Sequence, residues 1–341
     1  MTTRQYKAAG VDLERAEAAK AKIARLVAGT RTPLSVGAIG TFGGMVRVPT
    51  GYRKPVLVMS TDGVGTKVLV AVLAGRFDTV GEDLVNHCVN DILVHGALPI
   101  AFLDYLAGAG LTVEQITALV EGMARGCRAH DMPLAGGETA QMPGLYQAGH
   151  YDLAGTIVGV VEEEAALHGD LVRPGDVLVA YASSGLHTNG YTLARRIVFE
   201  RLKLGIEDPL PGTGETVGDA LLAVHRSYAR AIRPVIGQVR ALAHITGGGI
   251  AGNLVRVLPE GSEAFVDFAS WNPPPLFGIL QKAGNVSTVE MREVFNLGVG
   301  MIAVVPPERV DLVRAAATQD GVPTWVMGEI QAGPRGVRFG R

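Results

Sequence analysis

Short apolar runs alternate with longer amphipathic stretches along most of the chain. The runs 56–59, 100–103 and 177–180 are flanked by turn-forming residues and predict buried strands. The stretches 11–28, 81–95 and 113–129 carry apolar residues at helical spacing and predict helices. Because strands and helices interleave, the pattern indicates a mixed α/β (α+β) fold.

The second half repeats this alternation after a turn signal at 173–176. Further strands are predicted over 151–161, 264–268, 299–305 and 324–330, and helices over 191–204, over 218–239 and from about 250. A length of 341 residues suits two domains. We place the boundary near 165–175, which divides the chain into domains 1–170 and 171–341.

Composition narrows the class of protein. The net charge of −2 argues against a broadly basic nucleic-acid binder, and the lack of a long apolar run argues against a membrane span. The two cysteines, Cys88 and Cys127, form neither a zinc motif nor a disulfide framework. We therefore expect a soluble, cytoplasmic protein. Glycine is in excess, at 45 residues, which indicates many tight turns or close approaches to a ligand.

The segment DGVGTK at 62–67 follows the first predicted strand. Asp62 could bind Mg²⁺, Gly63 and Gly65 would let phosphate oxygens approach the backbone, and Lys67 adds a positive charge. The alternative is a strand followed by a glycine bend.

The helix predicted over 81–95 is apolar around most of its circumference. Asp83, His87 and Asp91 stand at i, i+4 and i+8 and share one face. This stripe either faces solvent or serves a site. A buried acidic stripe is costly unless it is paired or metal-bound, which favours a metal-and-phosphate site.

Further glycine-rich segments could contact a ligand. Gly136, Gly137 and Glu138 either line a nucleotide pocket or form a tight turn, and segment 37–44 is typical of a mobile loop that closes over a ligand. Ser184, His187 and Asn189 stand between a strand and a helix, which suits an anionic or polyhydroxylated ligand. Before another helix stands the strongest candidate phosphate cradle: Thr246, Gly247, Gly248 and Gly249.

Together these segments resemble the phosphoribosylformylglycinamidine cyclo-ligase family, from residue 6 to about residue 330. The motifs that carry the resemblance are YKAAGVD at 6–12, TDGVGTK at 61–67, CVNDILVHGA at 88–97, FLDY at 102–105, GGETAQMPG at 136–144, HTNGY at 187–191, HITGGG at 244–249 and FNLGVGM at 295–301. Shorter pieces recur in a wider ATP-using superfamily. One segment departs from the family pattern: VHRSY at 224–228 stands where the family usually has Pro-Thr-hydrophobic-Tyr.

The resemblance implies two domains, each a mixed or antiparallel sheet covered by helices. It implies a homodimer in which the sheets of the first domains pair into a barrel. The implied reaction is ATP-dependent cyclisation of formylglycinamidine ribonucleotide to aminoimidazole ribonucleotide in purine biosynthesis, with release of ADP and phosphate.

The resemblance also implies roles for the candidate residues, with ATP and Mg²⁺ as cofactors. Lys67, Asp91 and His187 would be catalytic, and Asp62, Asp91 and Asp83 would bind the metal. ATP would contact Asp62, Gly63, Gly65, Thr66, Lys67, Asp91, Gly136, Gly137 and Glu138. The substrate would contact Ser184, His187, Asn189, Thr246, Gly247, Gly248 and Gly249, and the last four could instead hold the ATP phosphates. Either His187 or His244 could transfer a proton.

Two other functions remain open from the sequence. The chain could be an enzyme of the same superfamily that acts on another acceptor, or a nucleotide-binding regulatory protein without turnover. Both retain the acidic residues and the glycine-rich turns.

Overall fold

A computed structural model describes residues 3–38, 40 and 42–340. The chain forms two compact units, one of residues Met1–Ile92 and Leu98–Val160 and the other of Leu93–Ala97 and Val161–Arg341. Each has its own sheet and helices, as the predicted mixed α/β class requires. In the described part of the chain, no helix has the length and apolarity that crossing a bilayer demands.

The first unit is built on a four-stranded sheet in the order β3-β6-β4-β5. Its strands are β3 (Pro55–Gly63), β4 (Leu98–Gly108), β5 (Leu134–Gln141) and β6 (Tyr151–Glu162), and a small hairpin of β1 (Ser35–Val36) and β2 (Met45–Val46) precedes them. Strand β4 runs antiparallel to β6 and parallel to β5. The helices are α1 (Thr3–Ala8), α2 (Leu13–Ala28), α3 (Lys67–Ala74), α4 (Asp78–Leu93) and α5 (Val113–Ala129).

Strand β3 is not the buried strand that the apolar run 56–59 predicts. It lies at one edge of the sheet, and Val56, Leu57 and Met59 are 38%, 45% and 64% exposed. An apolar run alone does not distinguish a buried central strand from an edge strand with an exposed apolar face. The prediction of a strand was right and the prediction of its burial was wrong.

Helices α4 and α5 pack at unusually close range. A Cβ added at Gly81 would lie 2.1 Å from the carbonyl oxygen of Leu119, and one added at Gly122 would lie 1.9 Å from that of Asp78. Only glycine fits at such a backbone contact. Helix α5 begins with a reciprocal capping box between Thr112 and Gln115, which explains why its start follows from sequence.

The second unit is built on a six-stranded sheet in the order β12-β9-β11-β7-β10-β8. The strands are β7 (Val177–Ala182), β8 (Ala241–His244), β9 (Ser262–Val266), β10 (Val299–Val305), β11 (Thr324–Ala332) and β12 (Gly336–Phe339). All neighbouring pairs are antiparallel except β12 with β9. All seven residues of β10 are buried, so this strand lies at the centre of the core.

Short helices surround this sheet. They are α6 (Tyr191–Arg195), which continues as a wider π turn (Arg196–Arg201), then α7 (Val217–Leu222), α8 (Ala229–Ile232), α9 (Gly249–Leu254), α10 (Pro275–Gly284), α11 (Thr288–Val294) and α12 (Val310–Gln319). The single helix predicted over 218–239 is wrong. The backbone leaves the helical region at Ala223, and the final part is a 3₁₀ turn (Arg233–Gln238) with proline in its first turn.

Candidate active site

Two acidic residues of the first unit converge on one histidine. His87 Nε2 lies 2.7 Å from Asp62 Oδ2 and 3.6 Å from Asp91 Oδ2. Ser60 Oγ donates a hydrogen bond to Asp91 Oδ2 at 3.0 Å. The imidazole is buried, whereas the carboxylates of Asp62 and Asp91 are 45% and 23% exposed. Strand β3 and helix α4 therefore present two carboxylates above a histidine.

The neighbouring carboxylates favour the protonated form of His87. Burial by itself would lower the pKa of His87, but the hydrogen bond to Asp62 and the charges of nearby carboxylates outweigh it, so the pKa is raised. Burial would raise the pKa of Asp62, but His87 and the backbone N–H of Gly63 lower it overall. The two carboxylates are partly accessible, which fits a hard divalent cation with oxygen ligands.

Lys67 and Asp83 form a separate, fully buried pair. Lys67 Nζ lies 2.7 Å from Asp83 Oδ2, and neither side chain is exposed. Burial lowers the pKa of Lys67, and the charge of Asp83 opposes that shift. The structure thus places Asp83 opposite the first residue of α3, whereas Asp62 and Asp91 share His87.

The glycine pair at 136–137 lies within β5 and not in a tight turn. Gly137 is paired with Asp104 of β4, and a Cβ at position 137 would lie 2.0 Å from Asp104 Oδ1. Glu138, the next residue, is exposed. Burial and the charge of Glu138 raise the pKa of Asp104 to about 7. The FLDY motif contains Asp104, but only the pairing of β4 with β5 reveals its position beside Gly137.

Three histidines meet in the second unit. His187 follows β7, adopts a left-handed backbone with φ 61°, and accepts a hydrogen bond at Nε2 from the N–H of Ser184 at 3.2 Å. The ring of His225 stacks on that of His187 with centroids 4.0 Å apart. His225 Nε2 lies 3.1 Å from His244 Nε2. The structure thus brings His187 and His244 together through His225. From the sequence, His225 was noted only as part of the segment that departs from the family pattern.

The glycine-rich turn before α9 is organised by one amide. Asn253 Nδ2 donates to the carbonyl oxygens of Thr246, Gly247 and Gly249, the last at 2.8 Å. A Cβ on Gly247 would lie 3.5 Å from Asn189 Oδ1, so Asn189 borders this turn. Gly248 and Gly249 both have positive φ, at 94° and 62°. Asn253 is therefore a supporting residue that the glycine pattern did not identify.

Comparison with known proteins assigns both units. The model described as AIR synthase related protein, N-terminal domain, matches residues 43–161, and that of the C-terminal domain matches residues 173–340. The chain is 47% identical over 329 residues to the phosphoribosylformylglycinamidine cyclo-ligase of Sorangium cellulosum (strain So ce56), covering 95% of this chain and 94% of the relative. The chain belongs to the phosphoribosylformylglycinamidine cyclo-ligase family.

A second cyclo-ligase agrees with this assignment, and a more distant protein shares the fold. The relative from Myxococcus xanthus (strain DK1622) is 45% identical over 331 residues, covering 96% of each chain. Thiamine-monophosphate kinase from Stenotrophomonas maltophilia K279a shares the fold, with a TM-score of 0.70 and 19% identity over 92% of this chain and 94% of that one. The two-domain α/β architecture expected from the resemblance to the cyclo-ligases is thus confirmed.

The structure leaves part of the glycine-rich segment 37–44 undescribed. Ile39 and Thr41 lie outside the described residues. The expected closure of this segment over a ligand stays a prediction.

Proposed function

We propose that this chain is an ATP-dependent cyclo-ligase that converts formylglycinamidine ribonucleotide to aminoimidazole ribonucleotide. The observation that carries the proposal is 47% identity across nearly the whole length of a curated cyclo-ligase. The partly exposed carboxylates of Asp62 and Asp91 give that reaction a place for a phosphate-bound cation. We expect the activity in the cytoplasm, as a step of purine biosynthesis.

The chemistry begins with a poor leaving group, an amide oxygen. Transfer of the γ-phosphoryl group of ATP to that oxygen forms an iminophosphate. The amidine nitrogen then attacks the activated carbon, the ring closes and phosphate departs. Such a reaction depends on positioning and on stabilising the charge of the phosphoryl group.

Asp62 and Asp91 are the residues that we propose as ligands of Mg²⁺. When bound, Mg²⁺ neutralises charge on the ATP phosphates. His87 Nε2 holds the carboxylate of Asp62 at 2.7 Å, and Ser60 Oγ donates to Asp91 Oδ2, which lies 3.6 Å from the same nitrogen of His87. The pairing of Asp83 with Lys67 favours a role for Asp83 in positioning that lysine.

The remaining proposed contacts with the nucleotide come from backbone segments of the first unit. Gly63, Gly65 and Thr66 connect β3 to α3, at whose first residue Lys67 stands. We propose that this connection and the strand segment 136–138, exposed at Gly137 and Glu138, contact ATP. Because the side chain of Lys67 is buried against Asp83, we propose that it acts on the phosphoryl group through its charge and not by direct contact.

The second unit supplies the proposed substrate contacts. Ser184, His187 and Asn189 belong to the segment between β7 and α6, and Asn189 borders the turn of Thr246, Gly247, Gly248 and Gly249. We propose that this turn holds a phosphate group and that His187 lies at the reacting end of the substrate. Its proximity to His225 and His244 gives a proton a path away from the ring-closing nitrogen.

We also propose a homodimer built on β3. This edge strand exposes Val56, Leu57 and Met59, and an unpaired apolar edge favours pairing with another chain. Pairing of two first-unit sheets would produce the barrel that the family resemblance implies.

The decisive test measures ADP and aminoimidazole together. The enzyme is supplied with Mg·ATP, with and without formylglycinamidine ribonucleotide, and the aminoimidazole is detected by a colour reaction. We expect equal amounts of both products, formed only with that substrate. ADP release with another acceptor, or ATP binding without turnover, would contradict the proposal.

A further inference from the structure

Three buried histidines of the second unit form a cluster of nitrogen ligands. His187, His225 and His244 come from three separate segments: the loop after β7, the segment between α7 and α8, and the end of β8. One ligand atom from each lies within 4.8 Å of the other two. All three side chains are buried. The family's expected chemistry at Asp62 and Asp91 uses oxygen ligands and does not account for this cluster.

The spacing of two of these nitrogens suits a tetrahedral metal ion. His225 Nε2 and His244 Nε2 are 3.1 Å apart. Two imidazoles bound to zinc at ~2.0–2.1 Å, at a tetrahedral angle, hold their nitrogens about 3.3 Å apart. A cation would take the position of the shared proton and form one bond to each ring.

Neighbouring hydrogen bonds select the ligand atoms. Thr188 Oγ1 lies 3.3 Å from His225 Nδ1, which leaves Nε2 of His225 directed at His244. Such a bond from the non-ligating nitrogen orients a metal-binding histidine and fixes its tautomer. In His187 the N–H of Ser184 donates to Nε2, so Nε2 carries the lone pair of the neutral ring, and this bond must break before Nε2 can bind an ion.

The third ligand requires one adjustment. The rings of His187 and His225 are stacked with 22° between their planes. A metal ion lies close to the plane of each ring that binds it, so the His187 ring must tilt out of the stack. His225 and His244 therefore form a preset pair that His187 completes.

We propose that His187, His225 and His244 bind a divalent transition-metal ion of the zinc class. Imidazole suits Zn²⁺, Co²⁺ and Ni²⁺, whereas Mg²⁺ prefers carboxylates and water. The proposed ion is bound by imidazole nitrogens, whereas the proposed magnesium ligands Asp62 and Asp91 offer carboxylate oxygens. Because His187 is a proposed substrate contact, zinc should inhibit turnover; this consequence rests on the proposed function, but the binding does not.

Cobalt binding gives a readout that needs no catalysis. The chelator-treated full chain is titrated with Co²⁺ in excess Mg²⁺, and the visible absorption of tetrahedral cobalt is followed. We expect one ion per chain, displaced by Zn²⁺. Absence of the cobalt bands and of zinc binding by calorimetry would overturn the proposal.

Two substitutions locate the ion. His225→Gln removes one ligand and should weaken zinc binding by at least ~100-fold, whereas His168→Gln, at an exposed histidine of the same unit, should leave it unchanged. Equal affinities in the two variants would show that the ion binds without His225 and would overturn the proposal.

A third variant guards against misfolding of the second unit. If His225→Gln has a lower melting temperature than the parent, zinc affinity is measured in Thr188→Val instead. This variant keeps all three ligands and removes only the hydroxyl beside His225 Nδ1. We expect zinc affinity to fall ~10-fold or more in this variant. Unchanged affinity would contradict the proposed orientation of His225.

Discussion

Lys67 Nζ lies 2.7 Å from Asp83 Oδ2 inside the first unit, and neither side chain reaches solvent. Such a pair does not behave like a surface salt bridge, because each charge depends on the other for compensation. The two residues begin α3 and occupy the second turn of α4, so the pair joins two helices that are separate in sequence.

Removing one member of this pair should destabilise the protein. Lys67→Met leaves the Asp83 carboxylate buried without its partner and should lower the free energy of unfolding by about 3–5 kcal/mol. The double variant Lys67→Met/Asp83→Leu should recover most of that loss, because no isolated charge remains. Urea unfolding of both variants measures the difference. A single variant as stable as the double would contradict the structural role of the pair.

The carboxylates beside His87 should control the response to magnesium. Asp91→Asn should lower turnover by ~100-fold or more and shift half-saturation to higher Mg²⁺, because a neutral amide is a weaker ligand. Asp170→Asn, at an exposed position of the second unit, is the matched control. Magnesium-dependent kinetics of both variants provide the measurement. Near-normal turnover in Asp91→Asn would remove Asp91 from the metal site.

Asp104 should make stability depend on pH. Its folded-state pKa of about 7 is above the ordinary value of 3.8, so the native chain holds this proton more tightly than the unfolded chain. Stability is therefore lost as pH rises from about 4 to about 7 and stays reduced above that. Asp104→Asn should be more stable than the parent at pH 8 by about 1–2 kcal/mol, and equal to it near pH 4.

Thermal melts across that pH range test this expectation. Asp152→Asn, at an exposed position on the neighbouring strand β6, should show no such divergence. A difference between parent and Asp104→Asn that is constant with pH would mean that the carboxyl is ionised throughout.

The exposed edge of β3 should determine the oligomeric state. Met59→Lys places a charge where an apolar face would pair with a second copy, and we expect it to convert a dimer to a monomer. Leu171→Lys, at an equally exposed apolar residue of the second unit, should leave the dimer intact. Light scattering coupled to size-exclusion chromatography gives both masses. A parent chain that is monomeric would contradict the proposed interface.

Elements that local sequence signals encode were predicted correctly, and features that depend on distant parts of the chain were not. The helix over 113–129 matches α5 at both ends, because its cap and its apolar face are both encoded locally. The long helix over 218–239 fails because a helical composition conceals the break at Ala223. The edge position of β3 depends on strand order, which no local pattern contains.

In the candidate site too, the sequence predicted what local spacing determines and missed what depends on distant elements. Helical spacing placed Asp83, His87 and Asp91 on one face, but it could not tell that Asp83 pairs with Lys67 while His87 turns to Asp62. Those choices depend on where α3 and β3 lie against α4. His225 stood out only as part of a segment that departs from the family pattern, and the structure adds that its Nε2 lies 3.1 Å from His244 Nε2 at the end of β8.

The backbone contact between α4 and α5 has a consequence for tolerance to mutation. With Gly81 and Gly122 each against a carbonyl group, the helix that carries His87 and Asp91 has no space for a larger side chain where it meets α5. We therefore expect adjustment to a bound nucleotide to come from β3 and its Asp62. In a library of all single substitutions, positions 81 and 122 should be as intolerant as the acidic residues themselves, although neither would touch a reactant.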